Sequence, residues 1–180
     1  MIYSYNELVA EHKTDYQIKK AIKHGALYKI ENGIYSDKPS VSPLEIIVKK
    51  YPAAIFTMDS AFYFHGLTDV IPKKIHLATM RDSIRIYNAD IIQHFLTERL
   101  HGIGKTYIVY ENVEIPIYDM ERMLIELIRN RNKVGFDYYK EIIASYRKKS
   151  SELDTGKIEE YISQFDIEDY LFSTMQNEVF

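Results

Sequence analysis

The chain has 180 residues, 46% of them apolar and 27% charged, with a net charge of −3, which is material for one compact domain or two small ones and not for a generally basic protein. It has no cysteine, which excludes disulfides, thiolate zinc sites and cysteine nucleophiles and suits a reducing cytoplasm. No run approaches the ~18 apolar residues of a membrane span, and the start MIYSYNELVAEHK lacks the basic-then-apolar order of a secretory signal, so a cytoplasmic protein is expected.

In chain order, Ser4 and Glu7 have the spacing of a capping box, in which the hydroxyl takes a helix-start amide and the carboxylate reaches back. Thr14 and Gln17 repeat it. Two short helices are predicted, at about 4–11 and 14–24, with a tight turn at His12-Lys13. At about 100° per residue the second helix gathers Ile18, Ala21 and Ile22 on one side. Tyr16, Lys19, Lys20 and Lys23 fall together on the other. Gly25 suits a left-handed helix stop, and Leu27 can fold back onto the apolar stripe. Asn32-Gly33 marks a two-residue hairpin with positive φ at both positions. That turn sets Ile30 opposite Tyr35 and Lys29 opposite Ser36, with Lys29 on the lysine side.

Helix, turn, helix and two-stranded ribbon make the order of a winged helix-turn-helix. Its second helix enters a major groove, and its wing meets the neighbouring backbone or minor groove. Tyr16 and Gln17 sit at the helix end where base edges are read. Lys19, Lys20, Lys23 and Lys29 are placed to neutralise phosphates. Asp15 works against an anion there. Only three residues precede the first helix, so a third core helix is missing or has to come from elsewhere.

DKPSVSP at 37–43 reads as a linker. It divides the chain into a DNA-binding domain over 1–38, a linker over 39–43 and a second domain over 44–180. In the second domain, Leu44, Ile46, Ile47 and Val48 open a helix that ends before Pro52. AAIFTM is a short strand, and DSAFYFHGL a helix stopping at Gly66. KIHLATM and ADIIQHFL are strands, and KTYIVY and VEIPIY flank Glu111-Asn112 as a second hairpin. DMERMLIELIRN is a helix with Met120, Met123, Leu124, Leu127 and Ile128 in one stripe. Helices near 136–149, 155–165 and 166–175 complete the chain. The fold class is therefore α+β: the winged unit, then an α/β domain with a small mixed or antiparallel sheet and C-terminal helices. Residues 151–180 carry one Lys/Arg against eight Asp/Glu, an acidic end behind a mildly basic body.

Catalytic signatures are absent or incomplete. HGIGKTY ends like a phosphate loop, but its first glycine is replaced by Arg99 and a strand, not a helix, follows. His65 is expected to pack at a helix end. His76 and His94 lie in strands and can be neighbours across the sheet, where two imidazoles are two of the ligands a metal needs. Asp59 or Ser60 is expected to cap the next helix, and no nucleophile elbow surrounds Ser60. Asp119 is a sensible cap, with Arg122 free to pair with a carboxylate; the Asp119 and Glu121 spacing does not make a magnesium site. No catalytic residue, metal or cofactor is assigned.

Taken in order, ALYKIENGIYSD, SPLEIIVKKYPAAIFTMDSAFYFHGLTD, PKKIHLATM and VEIPIYDMERMLIELIR resemble the AbiEi-type antitoxins of abortive-infection toxin–antitoxin systems. The matching positions are Gly25, Leu27, Gly33 and Tyr35; then Ser60, Ala61, His65, Gly66 and Leu67; then Asp119, Glu121, Arg122 and Met123. The resemblance implies a winged helix-turn-helix that represses its own promoter on double-stranded DNA. It also implies a C-terminal domain that counteracts a nucleotidyltransferase toxin without a stable complex. The expectation is a non-enzymatic DNA-binding antitoxin and autorepressor, acting as a homodimer or by cooperative loading. Its rivals are an interaction protein that never meets DNA, and a metal-dependent nuclease or nucleotidyl transferase.

Overall fold

Two capping boxes open the first unit. The computed structural model describes residues 1–11 and 14–180; the turn expected at His12-Lys13 lies outside the described residues. The chain folds as two compact units, Met1–Ala53 with Glu111–Val113, and Ala54–Tyr110 with Glu114–Phe180. The first unit runs β1 (Ile2–Ser4), α1 (Tyr5–Ala10), α2 (Asp15–Lys23), β2 (Tyr28–Glu31), β3 (Ile34–Ser36) and α3 (Pro43–Lys50). Both expected boxes form: Ser4 with Glu7 at α1, Thr14 with Gln17 at α2. Leu8, Ile18, Leu27 and Tyr35 make the core, with Tyr3, Ala21 and Ile22 packed against it.

Three local expectations are corrected. Ile2–Ser4, too short to show an alternation, is a strand that pairs antiparallel with β3 and gives the sheet order β1-β3-β2. In the ribbon, Glu31 faces Ile34, but a bulge at Ile30 then sets Lys29 opposite Tyr35 and Tyr28 opposite Ser36. Of the turn pair only Gly33 has positive φ, 82°, so the two-positive-φ turn is not made. The spare residue of the bulge absorbs the difference. Finally, the unit boundary falls between Ala53 and Ala54, later than the Pro/Ser-rich stretch. Ser42 and Pro43 are the cap and first residue of α3, and Glu45 closes a third capping box. The signal read as a linker is a helix start. The α3 helix lies against β1 and β3, and Lys49 Nζ reaches Glu7 Oε1 at 2.5 Å while Lys50 Nζ reaches Glu31 Oε1 at 2.8 Å. It is a third helix within the first unit.

The second unit runs β4 (Ile55–Phe56), α4 (Met58–Phe64), β5 (Ile75–Met80), β6 (Ile91–Leu96), α5 (Glu98–His101), β7 (Lys105–Tyr110), β8 (Val113–Tyr118), α6 (Met120–Arg129), α7 (Phe136–Lys148), α8 (Thr155–Ile162) and α9 (Glu168–Glu178). Its sheet is mixed, in the order β6-β5-β4-β8-β7. The β5/β6 and β4/β8 pairs are parallel and β4/β5 antiparallel. The parallel β5/β6 pair has no crossover helix. The Gln93 side chain pins the connecting loop instead, accepting from Ile86 N at 2.8 Å and donating to Ile84 O at 3.2 Å. The α6 helix is buried from Glu121 to Ile128, not along one stripe, because α4, α8 and α9 all pack on it.

Candidate nucleic-acid interface

The α2 helix presents a buried and an open side. Ile18 is buried, and Ala21 and Ile22 are half-buried against the core. Tyr16, Lys19, Lys20 and Lys23 are exposed, Tyr16 at 74%. Lys29 is exposed on β2. None of the four lysines makes a salt bridge among the described residues, whereas Lys49 and Lys50 of the same unit do. Lys20 and Lys23 also occupy the last turn of α2, where a cation offsets the carbonyl end of the helix dipole by about 0.3–1 kcal/mol. That local role accounts for two of the four and leaves Lys19 and Lys29 outside it.

Two residues are placed differently from a free reading surface. Gln17 closes the capping box: its Oε1 accepts from Thr14 N at 2.8 Å and from Thr14 Oγ1 at 3.2 Å. Only its amide NH2 is left for a base edge. Asp15, in the first turn, accepts from Tyr5 Oη at 2.7 Å, and that bond to a carboxylate holds the Tyr5 hydroxyl above its usual pKa. The Tyr5 hydroxyl thus occupies one oxygen of the carboxylate that opens α2. Sequence reasoning missed this partner. Its only trace is a tyrosine following the Ser4 cap.

The second unit's polar residues are mostly structural. His65 Nε2 donates to Tyr118 O at 2.7 Å, and burial lowers its pKa. Asp119 caps α6 by accepting from Arg122 N at 2.9 Å, and Arg122 pairs with Glu126 at 2.6 Å. Ser60 does not cap α4. The helix starts one residue earlier, after Thr57, and Ser60 Oγ accepts from His76 N at 2.9 Å. His76 and His94 are neighbours, ring nitrogens 3.1 Å apart and rings stacked. Among the described residues, no three His, Cys, Asp or Glu side chains converge on a possible metal position. No described helix is long and apolar enough to cross a membrane.

No protein-family model matches the sequence, and no curated protein matches it. Among solved structures the chain is similar to the RV2827C protein from Mycobacterium tuberculosis, at 12% identity and a TM-score of 0.58. The match covers 97% of this chain and 72% of that one. At that identity the likeness is one of fold: a mixed α+β chain of this arrangement exists in a solved structure.

Proposed function

We propose that the first unit is a winged helix-turn-helix that binds double-stranded DNA, and that the protein is an antitoxin repressing its own toxin–antitoxin promoter. The observation that carries the DNA reading is the set of four exposed lysines, Lys19, Lys20, Lys23 and Lys29, free of carboxylate partners among the described residues. Unpaired amines on one helix and its adjoining ribbon neutralise phosphates and release counterions on binding. The third helix α3, tied to α1 and β2 by ion pairs, gives such a reader a braced core. Tyr16, exposed at the N-terminal end of α2, is the side chain best placed to meet base edges. The antitoxin part, with a nucleotidyltransferase toxin as functional partner, rests on the ordered motifs from Gly25 to Met123 that resemble the AbiEi-type family.

The test is a gel-shift titration on the DNA upstream of the gene, run at several salt concentrations. Replacing Lys19, Lys20 and Lys23 by Ala is expected to weaken binding at low salt. It should also flatten the slope of log K against log salt by about 1 for each phosphate that is no longer neutralised. A circular-dichroism melt checks that the variant stays folded. Equal affinity and an equal slope in the folded variant would refute the DNA reading. Failure of the intact protein to relieve growth arrest by a nucleotidyltransferase encoded beside it would refute the antitoxin reading separately.

A further inference from the structure

The second unit contains a polar recess of about 230 Å3 that the DNA reading does not use, bordered by the start of α4, the end of β6 and the last turn of α6. Its charge is positive. The buried Glu126 carboxylate receives Arg122 Nη2 at 2.6 Å and Arg129 Nη1 at 3.0 Å. Lys133 lines the mouth, exposed and without a salt bridge among the described residues. The one carboxylate of the lining is thus already engaged by Arg122 behind it and Arg129 beside it, and Lys133 is a further lining cation that no described carboxylate pairs. Glu126 engages Arg129 only through Nη1, so Nε and Nη2 make no hydrogen bond to the described residues.

Two further observations point to a ligand. Thr57 lines the recess at 3% exposure, and its hydroxyl donates only to the Met123 sulfur at 3.8 Å, a weak acceptor that leaves most of its capacity unspent. The adjoining Met58 is a buried non-glycine residue at φ 45°. A backbone held in that region is strained, and such strain gathers at ligand clamps and active sites. Phe95, 46% exposed, stands among the lining residues with part of its ring open.

From this geometry we infer that the recess binds a phosphomonoester, its oxygens held by Lys133, the spare Arg129 donors and the Thr57 hydroxyl, with Phe95 against the ring that carries it. Guanidinium and ammonium donors beside a hydroxyl suit a tetrahedral dianion. An aromatic face at the rim suits a planar substituent. The inference needs nothing from the DNA reading and uses no residue of the first unit.

The test titrates the full chain with AMP, inorganic phosphate and adenosine, following the His94 ring and Asn130 side-chain amide resonances by NMR. AMP is expected to shift both in a saturable manner, phosphate to shift them more weakly, and adenosine to leave them in place. Lys133→Ala, an exposed change, and Thr57→Val, which keeps the shape, should each weaken AMP roughly tenfold, the loss of one charge-assisted or buried hydrogen bond. Lys133→Ala should leave the thermal melt unchanged, which separates recognition from folding. Absence of saturable AMP binding, adenosine binding as tightly as AMP, or full affinity in Lys133→Ala would each overturn the site.

Discussion

At Arg122 a guanidinium sits with no solvent exposure, which is costly unless its donors are met. They are: Nε and Nη2 reach Glu126, Nη1 reaches Leu100 O at 3.2 Å, and the plane lies 5.1 Å from the Tyr118 ring and 4.9 Å from Phe165. Replacing Arg122 by Ala should lower stability by about 3 kcal/mol, the low end for breaking a buried pair because Glu126 keeps Arg129; a urea midpoint within error of wild type would refute this. The same side chain explains the glycine of the phosphate-loop lookalike. Gly104 has φ +73°, and a Cβ there would lie 2.5 Å from Arg122 Cβ and 2.9 Å from Asp119 Oδ1. Gly104→Ala should therefore cost about 2 kcal/mol or more through backbone strain and a clash that cannot yield. At Gly102 the φ is ordinary and the space open, so the same change there is the control that should be nearly silent. The Asp119 cap and the Arg122 partner were legible in the sequence because they act three and four residues apart on one helix. The need for glycine at 104 was not, because the atoms that demand it arrive from α6 and its cap Asp119, fifteen or more residues on.

Elements were legible where their signals are local. The capping boxes of α1 and α2, the apolar side of α2, the stop at Gly25 and most second-unit elements follow from residues within a turn or two. What failed depended on partners. The strand β1 exists only because β3 offers an edge, and α3 belongs with the first unit because Glu7 and Glu31 meet its lysines. The hairpins make the point from both sides. Asn32-Gly33 carries the favoured two-residue turn sequence but keeps positive φ only at glycine, whereas Glu111 and Asn112, an unremarkable pair, adopt φ of 49° and 65°. Of the candidate interface, the lysine side was legible from helical spacing. The capping role of Gln17 was legible too, from its spacing to Thr14; the structure adds that both cap bonds fall on Oε1 and leave only the NH2 open. Thr14→Ala tests the cap. It removes the hydroxyl that accepts from Gln17 N, which should cost about 1 kcal/mol and speed amide exchange in the first turn of α2. Under the proposed DNA reading, affinity for the upstream DNA should also fall while Lys19, Lys20 and Lys23 are intact. Unchanged exchange would show that the cap carries no weight.

Across the whole chain, acid should act unevenly. His65, His76 and His94 all lie between Ala54 and Tyr110, and burial is the first cause lowering each of them, His94 to about 4. A histidine whose folded pKa lies below its unfolded value of 6.5 takes its proton first in the unfolded chain. Its contribution is then complete above pH 6.5 and is lost as pH falls toward the folded value. For His94 the shift amounts to about 3 kcal/mol, and His65 and His76 add in the same direction. Asp59 and Asp119 are raised by burial, so their proton uptake favours the folded chain and opposes the loss as the carboxylate range is reached, while the His94 part of the decline runs from 6.5 to about 4. In the first unit, Lys49 and the Ser4 backbone hold Glu7 low. The stability Glu7 contributes survives through that window and is lost only as pH falls through its lowered value. Urea unfolding followed by residue-resolved NMR from about pH 7 to about pH 4.5 should show the second unit weakening first, with a slope of about 1.4 kcal/mol per pH unit for each histidine proton taken up. His94→Gln, which keeps a donor toward His76 and does not titrate, should flatten that slope by about one proton's worth. A second unit whose midpoint stays level across the window, or a His94→Gln slope equal to wild type, would mean that these rings are not held neutral by their burial in the folded chain.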